Sequence, residues 1–141
     1  MKSLREINDP QVIHEALSTE KPIAIIGLSP KSHRDSYRIG EYLLKHGYDV
    51  LGVHPSGQEV LGCEVTTDLS ALTGRGIEVV DVFLNPDRLL PIVEQAIGIG
   101  AKYLWFQFGV VNEEAAELAQ KAGIEVIMDR CIKVEHSSDQ L

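Results

Sequence analysis

Short unbroken apolar runs alternate along this chain with stretches whose apolar residues recur at helical spacing. The runs are Pro22 to Leu28, Tyr48 to Val53, Ile77 to Leu84, Lys102 to Phe106 and Ile124 to Met128. Their shortness and their β-branched content predict strands buried on both faces. Before the first run, Val12, Ile13, Ala16 and Leu17 mark a helix over 9–18, with Asn8 or Asp9 as its cap and Pro10 in its first turn. Ser36 is placed to cap a second helix, whose face carries Ile39, Tyr42, Leu43 and His46 and which Gly47 ends. Asn85-Pro86-Asp87 opens a third through Ile92, Val93, Ala96 and Ile97, with Pro91 able to shorten or kink its first turn. Asn112-Glu113-Glu114 caps an Ala-rich fourth, which Gly123 ends. Residues 58–76 are less regular and predict a short extended piece around Val60-Leu61, then a single helical turn near Leu69. Asp129 to Val134 reads as a loop or short turn, and residues 136–141 as a frayed polar tail.

Strand and helix in alternation, joined by short loops, predict an α/β fold of Rossmann-like, doubly wound type. Its sheet is mainly parallel and helices cover both faces. The pattern fills the chain, so a single domain over 1–141 is expected, with its core at about 20–135.

Composition narrows the function classes. A chain of 141 residues with 44% hydrophobic and 24% charged residues suits one globular domain. The net charge of −8 argues against a nucleic-acid surface and makes any local basic cluster more telling. Cys63 and Cys131 form neither a C-x-x-C pair nor a zinc-like cluster, so structural metal is not expected. The start of the chain lacks the apolar core of a signal peptide, and no run approaches the ~20 residues that span a bilayer. A cytoplasmic protein without membrane contact is the expectation.

In a doubly wound sheet, ligands lie beyond the carboxyl ends of the strands. The first loop at that edge runs G-L-S-P-K-S-H-R-D-S from Gly27 to Ser36, in place of the dinucleotide pattern G-x-G-x-x-G. Gly27 permits close backbone approach, Ser29, Ser32 and Ser36 offer hydroxyls, and Lys31, Arg34 and Arg38 offer positive charge beside a helix N-terminus. A solvated polar loop has the same composition; its place after the first buried strand favours anion binding. The second strand ends Val53-His54-Pro55, without the acid that holds ribose hydroxyls in NAD sites. A missing carboxylate with cations nearby suits a ligand with an additional phosphate, either coenzyme A or NADP. His54 could stack on adenine or simply face water.

Catalytic motifs of the nucleophile-elbow, zinc-protease and Walker types are not found. Asp129-Arg130-Cys131 is the one arrangement that could carry reactivity, through a thiol activated by Arg130, although Cys131 could equally be a small residue filling a turn. Trp105 to Gly109 reads mostly as strand end and core, with Gln107 and Gly109 falling at the ligand edge.

Taken together, G-L-S-P-K-S-H-R-D-S-Y-R at 27–38, V-H-P-S-G-Q-E-V-L-G at 53–62, V-D-V-F-L-N-P at 80–86, W-F-Q-F-G-V-V-N-E-E-A at 105–115 and M-D-R-C-I-K at 128–133 resemble the small stand-alone CoA-binding proteins. Those are similar to the CoA-binding domain of the succinyl-CoA synthetase alpha subunit. The resemblance implies phosphates facing Gly27, Ser29 and the segment from Arg34 to Arg38, and adenine and ribose flanked by Val53, His54 and Pro55. It implies a pantetheine path along Asn85 and Pro86, and a sulfur end near Gln107 and Gly109. The chain departs from the family's pattern at His54, Ser56 and Ile132, where asparagine, a nearby lysine and proline are common. The synthetase's phosphohistidine segment has no counterpart, so ligase activity does not carry over. The resulting expectation is a non-catalytic protein holding coenzyme A or an acyl-CoA, with a protein partner possible but unknown. The rivals are an NADP-dependent oxidoreductase and a CoA-linked thiol sensor acting through Cys131.

Overall fold

A computed structural model describes residues 5–139. Its elements run α1 (Pro10–Leu17), β1 (Ile23–Ile26), α2 (Asp35–Lys45), β2 (Val50–Val53), β3 (Val65–Thr66), a 3₁₀ turn (Leu69–Leu72), β4 (Val79–Val82), a second 3₁₀ turn (Pro86–Arg88), α3 (Leu89–Gly98), β5 (Tyr103–Phe106), α4 (Glu113–Lys121), β6 (Glu125–Met128) and α5 (Ile132–Asp139). Among the described residues the sheet has 6 strands in the order β3-β2-β1-β4-β5-β6, every pair parallel. This is the doubly wound Rossmann-like fold, and its winding reverses between β1 and β4.

The apolar runs become strands because both sheet faces are covered. One face packs against α3, α4 and the first 3₁₀ turn, through residues such as Val80, Val82, Leu104 and Phe106. The other packs against α1, α2 and α5, through Ile23, Ile25, Val79, Trp105 and Ile127. Consecutive strand residues point to opposite faces and both faces are covered, so the runs are almost continuously apolar, with Asp81 in β4 and Glu125 in β6 as buried exceptions.

At α1 the cap expectation holds, with Asp9 as the one of the two residues that caps, its Oδ1 accepting from Gln11 N–H at 2.8 Å. Asn8 instead adopts a φ of 65° and bridges to Met128, accepting from its N–H (2.7 Å) and donating to its carbonyl (2.9 Å). Several local expectations change. Ser36 does not cap α2. The cap position is Arg34, and Ser36 is buried in the first turn, where its Oγ accepts from Ser29 N–H at 3.0 Å. The extended piece near Val60 is only a bridge between Val60 and Cys63 around a turn at Leu61-Gly62; the strand lies at β3. Asn85-Pro86-Asp87 leads into a 3₁₀ turn before α3, with Pro91 tolerated in the first turn of α3, where its missing N–H costs no helical bond.

The largest correction concerns the end of the chain. Residues 129–134 are not simply a loop, and 136–139 are not frayed, because α5 occupies Ile132–Asp139. Gln140 and Leu141 of the expected tail lie outside the described residues. The helix packs against α1 and α2. Ile132 is buried, its N–H donates to Gln107 Oε1 at 3.1 Å, Tyr42 Oη pairs with His136 Nδ1 at 2.8 Å, and His14 Nδ1 lies 2.8 Å from Asp139 Oδ2. Tertiary partners, rather than an apolar stripe of its own, hold this helix.

Candidate functional site

At the reversal point, the backbone leaving β1 and that leaving β4 come close together. Gly27 has a φ of 87°, donates its N–H to Val53 O at 2.7 Å, and sits so near β4 that a Cβ on it would lie 2.5 Å from Phe83 O. Only glycine suits that backbone and that spacing. From Gly27 the chain turns outward; Lys31 N–H donates to Ser29 Oγ at 3.1 Å, and Ser29 N–H is tied to Ser36. The loop is therefore fixed against the first turn of α2, and among the described residues no side chain caps that helix.

Two cavities open side by side along the carboxyl edge. The smaller, about 680 Å³, is lined by Gly27, Ser29, Lys31, Arg34, Ser36, His54 and Pro55 among others. The larger, about 1010 Å³, is lined by Arg38, Asn85, Gln107, Phe108, Arg130, Cys131 and Lys133 among others. Asp35, Phe83, Leu84 and Arg88 border both, so the two form one groove from β2 to β6.

Most of the sequence-derived candidates thus meet along one edge. Arg38 parts from Arg34, however, and belongs to the larger cavity. Val53 is buried in the core, and neither it, Pro86 nor Gly109 lines either cavity. Pro86 O accepts from Asn112 Nδ2 (2.8 Å), and Gly109 N–H donates to Asp129 Oδ1 (2.7 Å), so both serve loop architecture. Gln107 is buried and its Oε1 anchors α5. Arg130 donates Nη1 to Asp129 O at 3.1 Å. His54 Nδ1 accepts from Ser56 N–H at 3.1 Å, which leaves Nε2 to carry the ring proton in the neutral form.

Arg88, Phe108 and Lys133 escaped the sequence reading. A cation in a carboxyl-edge loop of an acidic chain was the available signal for Arg88 and Lys133. Phe108, next to the buried end of β5, has no such signal and stands 77% exposed.

The charge pattern is lopsided. Arg5, Arg75, Lys102 and Lys121 each pair with a carboxylate, and all lie away from this edge. Among the described residues, Lys31, Arg34, Arg38, Arg88, Arg130 and Lys133 form no such pair, although they line the groove. Cations without a carboxylate partner among the described residues thus gather beside an uncapped helix N-terminus at the reversal point, an arrangement that favours an anion.

The fold places the molecule among the Rossmann-like domains. More narrowly, residues 21–137 match the CoA binding domain family, and the chain belongs to that family. It is 36% identical over 125 residues to the uncharacterized protein YneT of Bacillus subtilis, covering 89% of this chain and 92% of that one. A hypothetical protein from Pyrococcus horikoshii is 41% identical, with a TM-score of 0.87 and 98% of each chain covered. A Thermus thermophilus protein is 31% identical, with a TM-score of 0.86 over 93% of this chain and 98% of its own. Among the described residues, no helix is long and apolar enough to cross a membrane.

Proposed function

We propose that the chain holds coenzyme A across the carboxyl edge of the sheet, without catalysing a reaction of its own. The observation that carries this reading is the set of cations left without carboxylate partners along the groove, in a chain whose net charge is −8. A ligand with a pyrophosphate and a further ribose phosphate would complement them. The residues present fit such a group: Gly27, Ser29, Lys31, Arg34 and Ser36 would hold phosphates, with His54 and Pro55 beside the adenosine. The arm would pass Phe83, Leu84 and Asn85 toward Gln107 and Cys131. Support for a holding role comes from the polar groups at the sulfur end. Gln107 Oε1 and Asp129 Oδ1 are engaged in fixing α5 and the β5–α4 loop.

Calorimetric titration with coenzyme A, dephospho-CoA, NADP, NAD and ATP tests the reading. Coenzyme A should bind tightest; tight NADP binding with no response to coenzyme A would overturn it in favour of the oxidoreductase. The division of the arginines gives a sharper expectation. Arg34 stands with Lys31 and His54 at the adenosine end, whereas Arg38 does not. Arg34→Ala should weaken coenzyme A by about 10- to 100-fold, the loss of a charge-assisted hydrogen bond, and dephospho-CoA far less. Arg38→Ala should affect both ligands alike. Equal losses in the Arg34 variant would move Arg34 to the pyrophosphate.

Cys131 favours a second reading, a thiol sensor. It borders the larger cavity and is only half-buried. Cys63 is buried, and that burial pushes its thiol up, with Glu59 and Asp49 adding to the effect. Attack of the Cys131 thiolate on CoA disulfide would form one protein–CoA disulfide and release one CoA thiolate. Intact-mass measurement after such treatment should show a single adduct that Cys131→Ser removes; an adduct that persists in that variant counts against the sensor.

A further inference from the structure

Among the described residues, the large hydrophobic side chains that stand exposed are Ile97, Phe108, Val111 and Val134. Two of them stand at one end of the groove, and a third lies close by in sequence. Phe108 (77% exposed) and Val134 (55%) line the larger cavity, and Val111 follows in the same β5–α4 loop. Leu84 and Val110 continue the apolar wall inward. Exposed apolar side chains clustered in this way mark a surface meant to be covered.

We propose that this end holds the acyl chain of an aliphatic thioester of coenzyme A, so that the ligand is an acyl-CoA rather than the free thiol. The inference rests on the CoA reading, which brings the sulfur to Gln107 and Cys131; Phe108 is the next residue after Gln107, on the outer side. The larger cavity, at about 1010 Å³, reaches the top of the ~300–1,000 Å³ range that encloses whole drug-sized ligands. The pantetheine arm alone is a thin chain that leaves much of it unfilled. An aliphatic chain running on from the sulfur would fill the remainder and cover Phe108 and Val134. A second copy of the protein is the weaker candidate. An aromatic side chain buries only ~150–250 Å² and two valines add less, well short of the roughly 800 Å² per partner of a stable interface.

Titration with coenzyme A and its butyryl, hexanoyl and octanoyl thioesters, below their micelle concentrations, reads the chain-length dependence directly. Affinity should rise about 2- to 4-fold per methylene. Phe108→Ser should lower the ratio of octanoyl-CoA to CoA affinity by about 10-fold or more. Coenzyme A titrated in the same variant shows that the groove is intact. Equal affinity for all the thioesters and for coenzyme A would overturn the acyl site while leaving the CoA reading in place. Loss of the whole series, coenzyme A included, in the unaltered protein would overturn the CoA reading beneath it. Sedimentation of the ligand-free protein closes the remaining route: a dimer that Phe108→Ser dissociates would make a second copy the occupant and overturn the proposal.

Discussion

Gly27→Ala should cost the fold about 3–4 kcal/mol or more and abolish measurable ligand binding. Two independent penalties act at this position. A φ of 87° is left-handed backbone, which an alanine adopts only at a cost of about 1–2 kcal/mol. The added Cβ would also lie 2.5 Å from Phe83 O, a backbone atom just after β4 that cannot rotate away. Relief requires separating the ends of β1 and β4. Gly27 N–H donates to Val53 O and Phe83 N–H donates to Ile26 O at 2.9 Å, so separation breaks ladder bonds on both sides of β1. It would also displace Phe83, which borders both cavities. Urea unfolding measures the first effect and calorimetry with coenzyme A the second. A variant within about 1 kcal/mol of the parent that still binds would show that the loop, not the strand exits, sets this glycine.

That role for Gly27 was only half legible in the chain. Its place after the first apolar run announced a carboxyl-edge loop, but the carbonyl that forbids a Cβ belongs to the residue after β4, more than 50 residues away. The same distinction runs through the fold. Strands such as Ile23–Ile26 and Val79–Val82 were legible because burial on both faces leaves an unbroken apolar run. The helix over Ile132–Asp139 was not, because its partners Gln107, Tyr42 and His14 are distant in sequence and its own composition is polar. In the site, cations were readable as a cluster where they are adjacent, as at Lys31 and Arg34. Arg88 and Lys133 reach the same groove from other loops. Local chemistry is written locally, whereas convergence is a product of the sheet.

Asp81 carries the other large effect, and it appears as a pH dependence. The residue lies mid-strand in β4, between Ile25 and Trp105 in register, and shares the sheet face of Val79 under α1, α2 and α5. It is fully buried, and among the described residues neither carboxyl oxygen has a hydrogen-bond partner. Desolvation therefore holds its carboxyl well above the ordinary aspartate range. The sign follows from which state binds the proton. The folded chain keeps the proton to higher pH than the unfolded chain, so the stability associated with Asp81 is fully present below the ordinary aspartate range. It is lost as pH rises toward the folded-state value. Asp81→Asn removes the titration while keeping the shape. Its stability relative to the parent should be flat in acid, then grow by about 1.4 kcal/mol per pH unit above the ordinary aspartate range, until the folded carboxyl itself ionises. Asp81→Val should show the same slope and lie above the asparagine variant, because it also removes a buried polar group that has no partner. Urea midpoints of all three proteins at pH 4.5, 6 and 8 measure this, with shifts from other groups cancelling in the differences. A gap that does not change with pH would mean that the folded protein tolerates the Asp81 carboxylate as well as water does.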